Sequence, residues 1–443
     1  MKRQSESRRT FLKRTAAAAT VFSIVPRYVV AKSGETPPSE KPNIASIGAG
    51  GQAEHDIGVV SRSANIVALC DVDDERGAKS FEKFPDARKY KDFRIMLDKE
   101  AKNIDGVIVA TPDHIHAVAA LAAMELGKAV YVEKPMAHNI CEVRKLAEAA
   151  RKYKVITQMG NQGHSFLGCR LTKAWVEDDA IGDVTEVMCW TNRPTWPQGM
   201  DRPAEAMPVP ATLDWDLWLG PAPSRPYNRA YAPHVWRGWW DFGTGALGDM
   251  GCHIMDSAYW ALKLGAPTRV SAETSSVNGE TAPQWSIIRY EFPKRGKMPP
   301  VTLTWHDGGK MPARPAELEE GRRMGDDDGG SLFIGTKGKI MVGTYGNGNR
   351  LIPESAMQAY KQPKKDIERP AGHHQNWIDS IKSGKPAASN FDYASGLTEL
   401  VLLGNLAIRA QQPIEWDVEN MKVKNFPAAD PWINGTYREG WKV

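Results

Sequence analysis

The run Asn43-Ile44-Ala45-Ser46-Ile47, followed by Gly48-Ala49-Gly50-Gly51-Gln52-Ala53, constrains this chain more than any other segment. It reads as a buried strand passing through a G-x-G-x-x-A turn into a helix over 52–61. The first glycine permits the tight turn, the second lets the backbone approach a pyrophosphate, and Ala53 lets the helix pack closely on the strand. The helix N-terminus would offer unpaired N–H groups and a positive dipole end to phosphate. Gly48, Gly50, Gly51 and Gln52 are therefore candidate cofactor contacts. A second apolar strand, 66–70, ends at Asp71, where a carboxylate can accept hydrogen bonds from an adenosine ribose. An acid there favours NAD over a 2′-phosphorylated cofactor, and Arg76 nearby leaves NADP open.

The alternation continues. A strand over 104–110 ends at Thr111-Pro112-Asp113-His114-Ile115-His116, and a helix over 116–126 closes at Gly127. A strand over 129–132 ends at Glu133-Lys134-Pro135, a helix covers 140–152, and a further strand covers 155–158. Strands this apolar, separated by helices, predict a parallel sheet covered on both faces, with ligands at its carboxyl ends. Gly48, Asp71, Thr111 and Lys134 all fall there. From Val184 the period changes to two, over 184–190, 285–292, 301–305, 332–334 and 339–342. That pattern suits a mostly antiparallel sheet. The expected fold class is α/β. A Rossmann domain occupies 43–158, and 159–410 forms a second α/β domain with an open, mostly antiparallel sheet. A helix over 397–410 returns to the first domain, and 411–443 is a C-terminal extension. Proline-rich loops at 194–226 and 293–315 have a length that usually serves function.

The G-x-G-x-x-A turn, the Thr-Pro-x-His-x-His step and Glu133-Lys134-Pro135 together resemble the Gfo/Idh/MocA oxidoreductases, over about 43–410. The resemblance implies a second domain that carries the substrate site and a homo-oligomer interface. It implies NAD contacts from Thr111, Pro112, His116, Glu133, Lys134 and Gln162, the last beside Asn161. It makes Lys134 catalytic, next to the nicotinamide and the reacting hydroxyl, and adds Asp249 and His253 as a substrate-binding and acid/base pair. The substrate implied is a sugar, glycoside or polyol. A second activity in the same family, glycoside hydrolysis by transient oxidation, elimination, hydration and reduction, would use the same residues.

Physical reasoning supports these positions separately. Removing hydride from an alcohol requires a base for the hydroxyl proton. A lysine beside an oxidised nicotinamide would have its pKa lowered. Gly248 to Leu262 reads as a helix start with Asp249 and His253 four apart on one face. His253 would then sit in the first turn, where the positive dipole end keeps imidazole neutral. His253 is expected to exchange the proton while Lys134 polarises the oxygen, although the roles can be interchanged. An ordinary N-cap is the competing reading of Asp249. Trp236 and Arg237 precede this element and are candidate substrate contacts.

The first residues form a leader. Ser7-Arg8-Arg9-Thr10-Phe11-Leu12-Lys13 precedes a short apolar stretch, Thr15 to Val25, and Ala31 offers a cleavage site. Residues 1–31 thus read as a signal peptide, too short for a stable membrane span, with a linker over 32–42. The paired arginines resemble the bacterial twin-arginine signal. That implies the twin-arginine machinery as partner, a periplasmic location, and NAD tightly bound and regenerated within each cycle.

A formal charge of +4 without a basic stripe argues against nucleic acid. Five cysteines (70, 141, 169, 189 and 252) show no disulfide or metal spacing and read as small buried hydrophobes. No metal is expected. His114 and His116 belong to the cofactor loop, and His373-His374 open a helix without a carboxylate partner. Asp326-Asp327-Asp328 reads as a solvated loop, with a calcium contact left open. The aromatics gathered between Trp190 and Trp260 divide between core and a carbohydrate-lining role.

Overall fold

Burial on both faces selects parallel pairing in the first half of the chain. Strands β1 (Asn43–Ile47), β2 (Asn65–Cys70), β3 (Arg88–Tyr90), β4 (Gly106–Val109), β5 (Ala129–Val132) and β6 (Thr157–Met159) form a six-stranded parallel sheet of order β3-β2-β1-β4-β5-β6. Alternate side chains enter two cores, as the strand period demands. Ala45, Val107, Val109, Val130 and Val132 face one, while Ile44, Ile108 and Tyr131 face the other. Helices α1 (Gln52–Val60), α2 (Asp74–Lys83), α3 (Phe93–Glu100), α4 (Asp113–Glu125) and α5 (Ile140–Tyr153) cover those faces. The order reverses between β1 and β4, which opens a crevice at their carboxyl ends.

In this computed structural model the described residues are 37–362, 367 and 370–443. The leader expected at 1–31 and residues 32–36 of the linker lie outside them. Pro38–Glu40 make one 3₁₀ turn, and Pro42–Val443 form one compact unit.

Two features of the first half differ from expectation. Helix α4 begins at Asp113 rather than His116, because Pro112 can stand before a first turn whose N–H groups have no intrahelical acceptor. The polar stretch 71–103, not predicted as structure, forms α2, β3 and α3. Asp73 and Asp92 cap the two helices by accepting the Glu75 and Arg94 N–H groups.

After α6 (Leu167–Glu177) comes a nine-stranded sheet. Its strands are β7 (Val184–Thr191), β8 (Arg269–Thr274), β9 (Ser286–Phe292), β10 (Val301–His306), β11 (Gly329–Gly335), β12 (Lys339–Gly343), β13 (Arg350–Ile352), β14 (Ile414–Asp417) and β15 (Lys422–Val423). The order is β13-β12-β11-β7-β10-β9-β8-β14-β15, antiparallel throughout except for the β7–β10 pair. The remaining helices are α7 (Trp215–Leu219), α8 (Gly245–Ile254), α9 (Asp256–Ala261), α10 (Glu354–Ala359), α11 (His373–Ser383), α12 (Phe391–Ala410) and α13 (Asp430–Asn434). Among the described residues no helix is long and apolar enough to cross a membrane. All five cysteines are free, four of them buried.

Helix α12 starts at Phe391, capped by Asn390, earlier than the Leu397 expected from apolar spacing. Its Glu399 accepts from Arg144 Nε and Nη2 of α5, both at 2.8 Å. On another face, Gly404 crosses Tyr290 of β9. A Cβ at 404 would lie 2.1 Å from the Tyr290 hydroxyl and 2.5 Å from Leu247 Cδ2. One helix therefore seats against both halves of the unit.

The two stretches expected as long loops are not wholly loop: 194–226 contains α7 and is packed, and 293–315 contains strand β10. The first returns to the Rossmann strand ends, where the Thr212 carbonyl accepts from Asp74 N and Lys91 Nζ at 3.1 and 2.9 Å. Beyond the second, Leu318 packs with Trp190, Leu332, Met341 and Ile352 over the sheet. Most of the aromatics between 190 and 260 turn inward. Trp218, Tyr231, Trp239 and Phe242 make a small core of their own, which fills the space expected in part for carbohydrate.

Because the α12 crossing has no room for a methyl group, Gly404→Ala should lower unfolding free energy by about 1–3 kcal/mol, as core overpacking does. Urea denaturation followed by circular dichroism measures it; an unchanged midpoint would show that Tyr290 yields freely.

Candidate functional site

A cavity of about 500 Å³ occupies the carboxyl ends of β1, β2, β4 and β5. Gly48 has φ +91°, and a Cβ there would lie 2.2 Å from the Ala110 carbonyl oxygen. At Gly50 a Cβ would lie 2.3 Å from the Arg76 carbonyl oxygen, so α2 itself requires glycine at that position. Gly51 and Gln52 continue the cradle along the same wall. Asp71 Oδ2 accepts from Ala49 N at 2.8 Å and Oδ1 from Asp73 N at 3.0 Å, bracing the turn against the end of β2. Burial raises its pKa against those two bonds. A glycine cradle, the N-terminus of α1 and an acid at the end of β2 fit an adenine dinucleotide.

Thr111, Pro112, Glu133 and Lys134 line the same cavity. The opposite wall comes from the first long loop and the turn before α8, through Thr212, Leu213, Trp218, Tyr227, Trp236 and Arg237. Trp236 and Arg237 stand on this wall beside the cleft, as expected for candidate ligand contacts, whereas Thr212, Leu213, Trp218 and Tyr227 were not singled out in the sequence. His116 stands apart from the cavity. Its Nδ1 lies 2.8 Å from the Pro135 carbonyl oxygen and its Nε2 2.9 Å from that of Thr111. It joins the two turns that present Thr111 and Lys134, where a direct cofactor contact had been expected. Gln162 likewise acts through Glu133, donating from Nε2 to Oε1 at 3.1 Å. Asn161 accepts from Ser389 Oγ at 2.6 Å.

At the end of β5, Lys134 Nζ donates to Asp249 Oδ1 at 2.9 Å and to the Asp249 carbonyl at 2.8 Å. Arg237 Nε donates to the same Oδ1 at 3.0 Å, and Arg193 Nε lies 3.7 Å from Oδ2. Burial acts to raise the Asp249 pKa, but Lys134 and Arg237 outweigh it and hold the carboxyl well below the usual range. For Lys134, burial and Arg237 act downward, while Asp249 prevails and pushes the amine up. Asp249 thus adds an upward pull on Lys134 that the expectation from a bound nicotinamide did not include.

Helix α8 begins at Gly245, so Asp249 lies inside it and His253 in its last turn. Asp249 is not a cap, and the dipole argument for a neutral His253 fails. Burial keeps the imidazole neutral instead, with the Lys134 cation adding to the effect. His253 Nδ1 is buried without a hydrogen-bond partner, and the ring meets Tyr345 edge-on at 5.0 Å. The true start lies three residues before the expected Gly248, in a stretch with glycines at 245, 248 and 251 that carries little helix propensity. A Cβ at 251 would lie 2.8 Å from Val401 Cγ2, so α12 requires the last of them.

Three residues beside this group were missed or misread. Arg193 was not singled out. Asp328, taken as part of a solvated loop, pairs with Arg193 Nη1 at 3.0 Å. Tyr345 gave no sequence signal beyond its type. The neighbouring Asp326 is also occupied, accepting from Thr344 N at 2.8 Å and Thr344 Oγ1 at 2.6 Å. His164, Cys169 and Asp256 gather in the interior, where the Asp256 carboxylate already accepts from His164 Nδ1 at 3.1 Å and from Tyr393.

His374, expected to lack a carboxylate partner, lies with Nε2 3.0 Å from Asp56 Oδ1, which also accepts from Gln52 Nε2 at 2.9 Å. Asp56 Oδ2 is buried with no donor. Burial raises Asp56 to about 7, and burial with the Asp56 charge raises Glu133 to about 8. Two buried carboxyls held this way retain a proton between them. Their pKa values exceed the unfolded values, so the stability they contribute is full at low pH and is lost as pH rises toward about 8. Asp56→Asn supplies a permanent donor. Its melting temperature should fall less than that of the parent between about pH 5 and pH 9. Calorimetric scans across that window check this, and parallel curves would show that the pair shares no proton.

The family model for the Gfo/Idh/MocA NAD-binding Rossmann fold matches residues 42–161, and that for the family's C-terminal alpha/beta domain matches 181–443. The chain is 25% identical over 190 residues to levoglucosan dehydrogenase of Pseudarthrobacter phenanthrenivorans, covering 43% of this chain and 40% of that protein. It is 31% identical over 140 residues to inositol 2-dehydrogenase 3 of Saccharopolyspora erythraea, covering 31% of this chain and 40% of the relative. The matches thus span well under two thirds of these relatives' length. The WlbA dehydrogenase of Bordetella pertussis, solved with NADH and UDP-GlcNAcA, shares the fold at TM-score 0.61 and 18% identity, over 85% of this chain and 99% of that one. With both halves matched, the chain belongs to the Gfo/Idh/MocA family of NAD-binding oxidoreductases.

Proposed function

We propose that this protein interconverts a CH–OH group and a carbonyl on a sugar, glycoside or polyol, using NAD retained in the cleft. The observation that carries this reading is the position of Lys134. It lines the dinucleotide cleft while its amine is held by Asp249, on the helix that also carries His253. Relatives named for levoglucosan and inositol agree with a polyhydroxylated substrate.

NAD, when bound, supplies the hydride acceptor. Lys134, kept cationic by Asp249, donates to the substrate oxygen and cannot readily serve as the base. His253, kept neutral by burial, takes the hydroxyl proton. That division favours one of the two role assignments left open by the sequence. Arg237 and Trp236 contact substrate hydroxyls, and Asp249 holds both Lys134 and Arg237 in place. Asp71 favours NAD; Arg76, whose side chain borders Gly51, leaves room for NADP.

The rest of the reading concerns the protein's setting. The paired arginines of the leader support export by the twin-arginine machinery to the periplasm. A loop wall over the cleft supports a retained cofactor. Self-association would use the second sheet. Hydrolysis through transient oxidation needs the same residues, and no contact favours it.

Mass spectrometry of the purified protein should find NAD. A panel of polyols and glycosides should then reduce the bound or added NAD and change nicotinamide absorbance, and a second carbonyl substrate should reverse that change. Lys134→Ala should retain NAD and lose turnover by about 10²–10⁴-fold. Full activity in that variant would remove Lys134 from the chemistry, whereas aglycone release without absorbance change would establish the hydrolytic cycle.

A further inference from the structure

A second cavity, of about 280 Å³, opens where α5, the end of α12 and the C-terminal extension meet. It shares no lining residue with the dinucleotide cleft. Arg409, in the last turn of α12, borders it. The guanidinium carbon lies 4.4 Å from the Trp432 ring centre and 5.4 Å from that of Trp240. Among the described residues no hydrogen bond or ion pair meets this cation. Asp241, the acid closest in charge effect, is paired with Arg225. Glu142 is occupied by the backbone N–H groups of His138 and Asn139 and by the Tyr437 hydroxyl. Burial lowers the Arg409 pKa to about 10, which leaves it charged at neutral pH. A second donor at this cavity, Trp240 Nε1, is buried without a partner.

A guanidinium half withdrawn from water, with no ion-pair partner of its own, is an unbalanced arrangement, since Asp241 on the same cavity is engaged by Arg225. The guanidinium carbon lies over both indole rings, and no described residue takes its N–H donors. An edge-on fork matches the two oxygens of a carboxylate. We propose that this cavity binds a small carboxylate-bearing molecule, its carboxylate seated bidentately on Arg409 between Trp240 and Trp432. The volume fits a molecule of a few carbons.

Calorimetric titration of the full-length protein with sodium succinate tests the proposal. Succinate has no hydroxyl group and is no substrate for the reaction proposed above, so the two readings fail separately. Saturable binding is expected. Arg409→Met and Arg409→Lys should each weaken it, the former by at least about tenfold, while Arg237→Met in the dinucleotide cleft should not. Thermal melts show whether the Arg409 variants fold. If they do not, Trp432→Leu, which removes one ring face, should weaken succinate binding in a folded protein. Absence of saturable binding, or undiminished binding in the folded variants, overturns the proposal. So does loss of binding in Arg237→Met alone, which would place succinate in the other cleft. Arg409-dependent binding of inorganic phosphate without binding of succinate would overturn the carboxylate assignment.

Discussion

Asp249 is a carboxylate removed from water, and such a group is tolerated only where cations and donors converge on it. Here they come from three directions. Lys134 arrives from the end of a Rossmann strand, Arg237 from the turn before α8, and Arg193 from the loop after β7. The ion cluster therefore does more than charge the site. It fixes the end of β5 relative to α8, and so fixes where a reacting hydroxyl can lie. Helix α8 is in turn located by glycine-to-valine contact with α12, which reaches both sheets.

Much of this was legible in the sequence. The glycine turn, Asp71, Thr111 and the Glu133-Lys134-Pro135 step mark strand ends by local composition, and local composition is what a single chain displays. The failures have physical causes of the opposite kind. Helix α8 contains glycines because α12 and Thr244 leave no space for side chains, so a tertiary requirement put weak helix formers at its start and obscured the boundary. Tyr345 and Arg193 reach the site from distant loops, and no spacing rule links them to Lys134. The pull of Asp249 on Lys134 was not legible because the two lie 115 residues apart.

Beneath the site lies a second ionic layer of different character. Asp56, Glu133 and His374 lie close together, and Glu133 immediately precedes the reactive lysine. A Cβ at Gly160 would lie 2.2 Å from Glu133 Oε1, so this carboxylate is confined sterically as well as electrostatically. The lysine thus stands between an acid that is fully ionised and a pair that shares its proton.

The packing of α12 also bears on motion. Ligand-binding proteins with two lobes often close about a hinge, which needs an interface able to slide or part. In this chain both sheets drain into one continuous core, and α12 is keyed into α5 and β9 by an ion pair and a glycine crossing. Sliding one half past the other would have to break both contacts. The 194–226 loop instead meets the Rossmann half through local hydrogen bonds, from Thr212 O to Asp74 N and Lys91 Nζ and between Trp218 O and His114 Nε2.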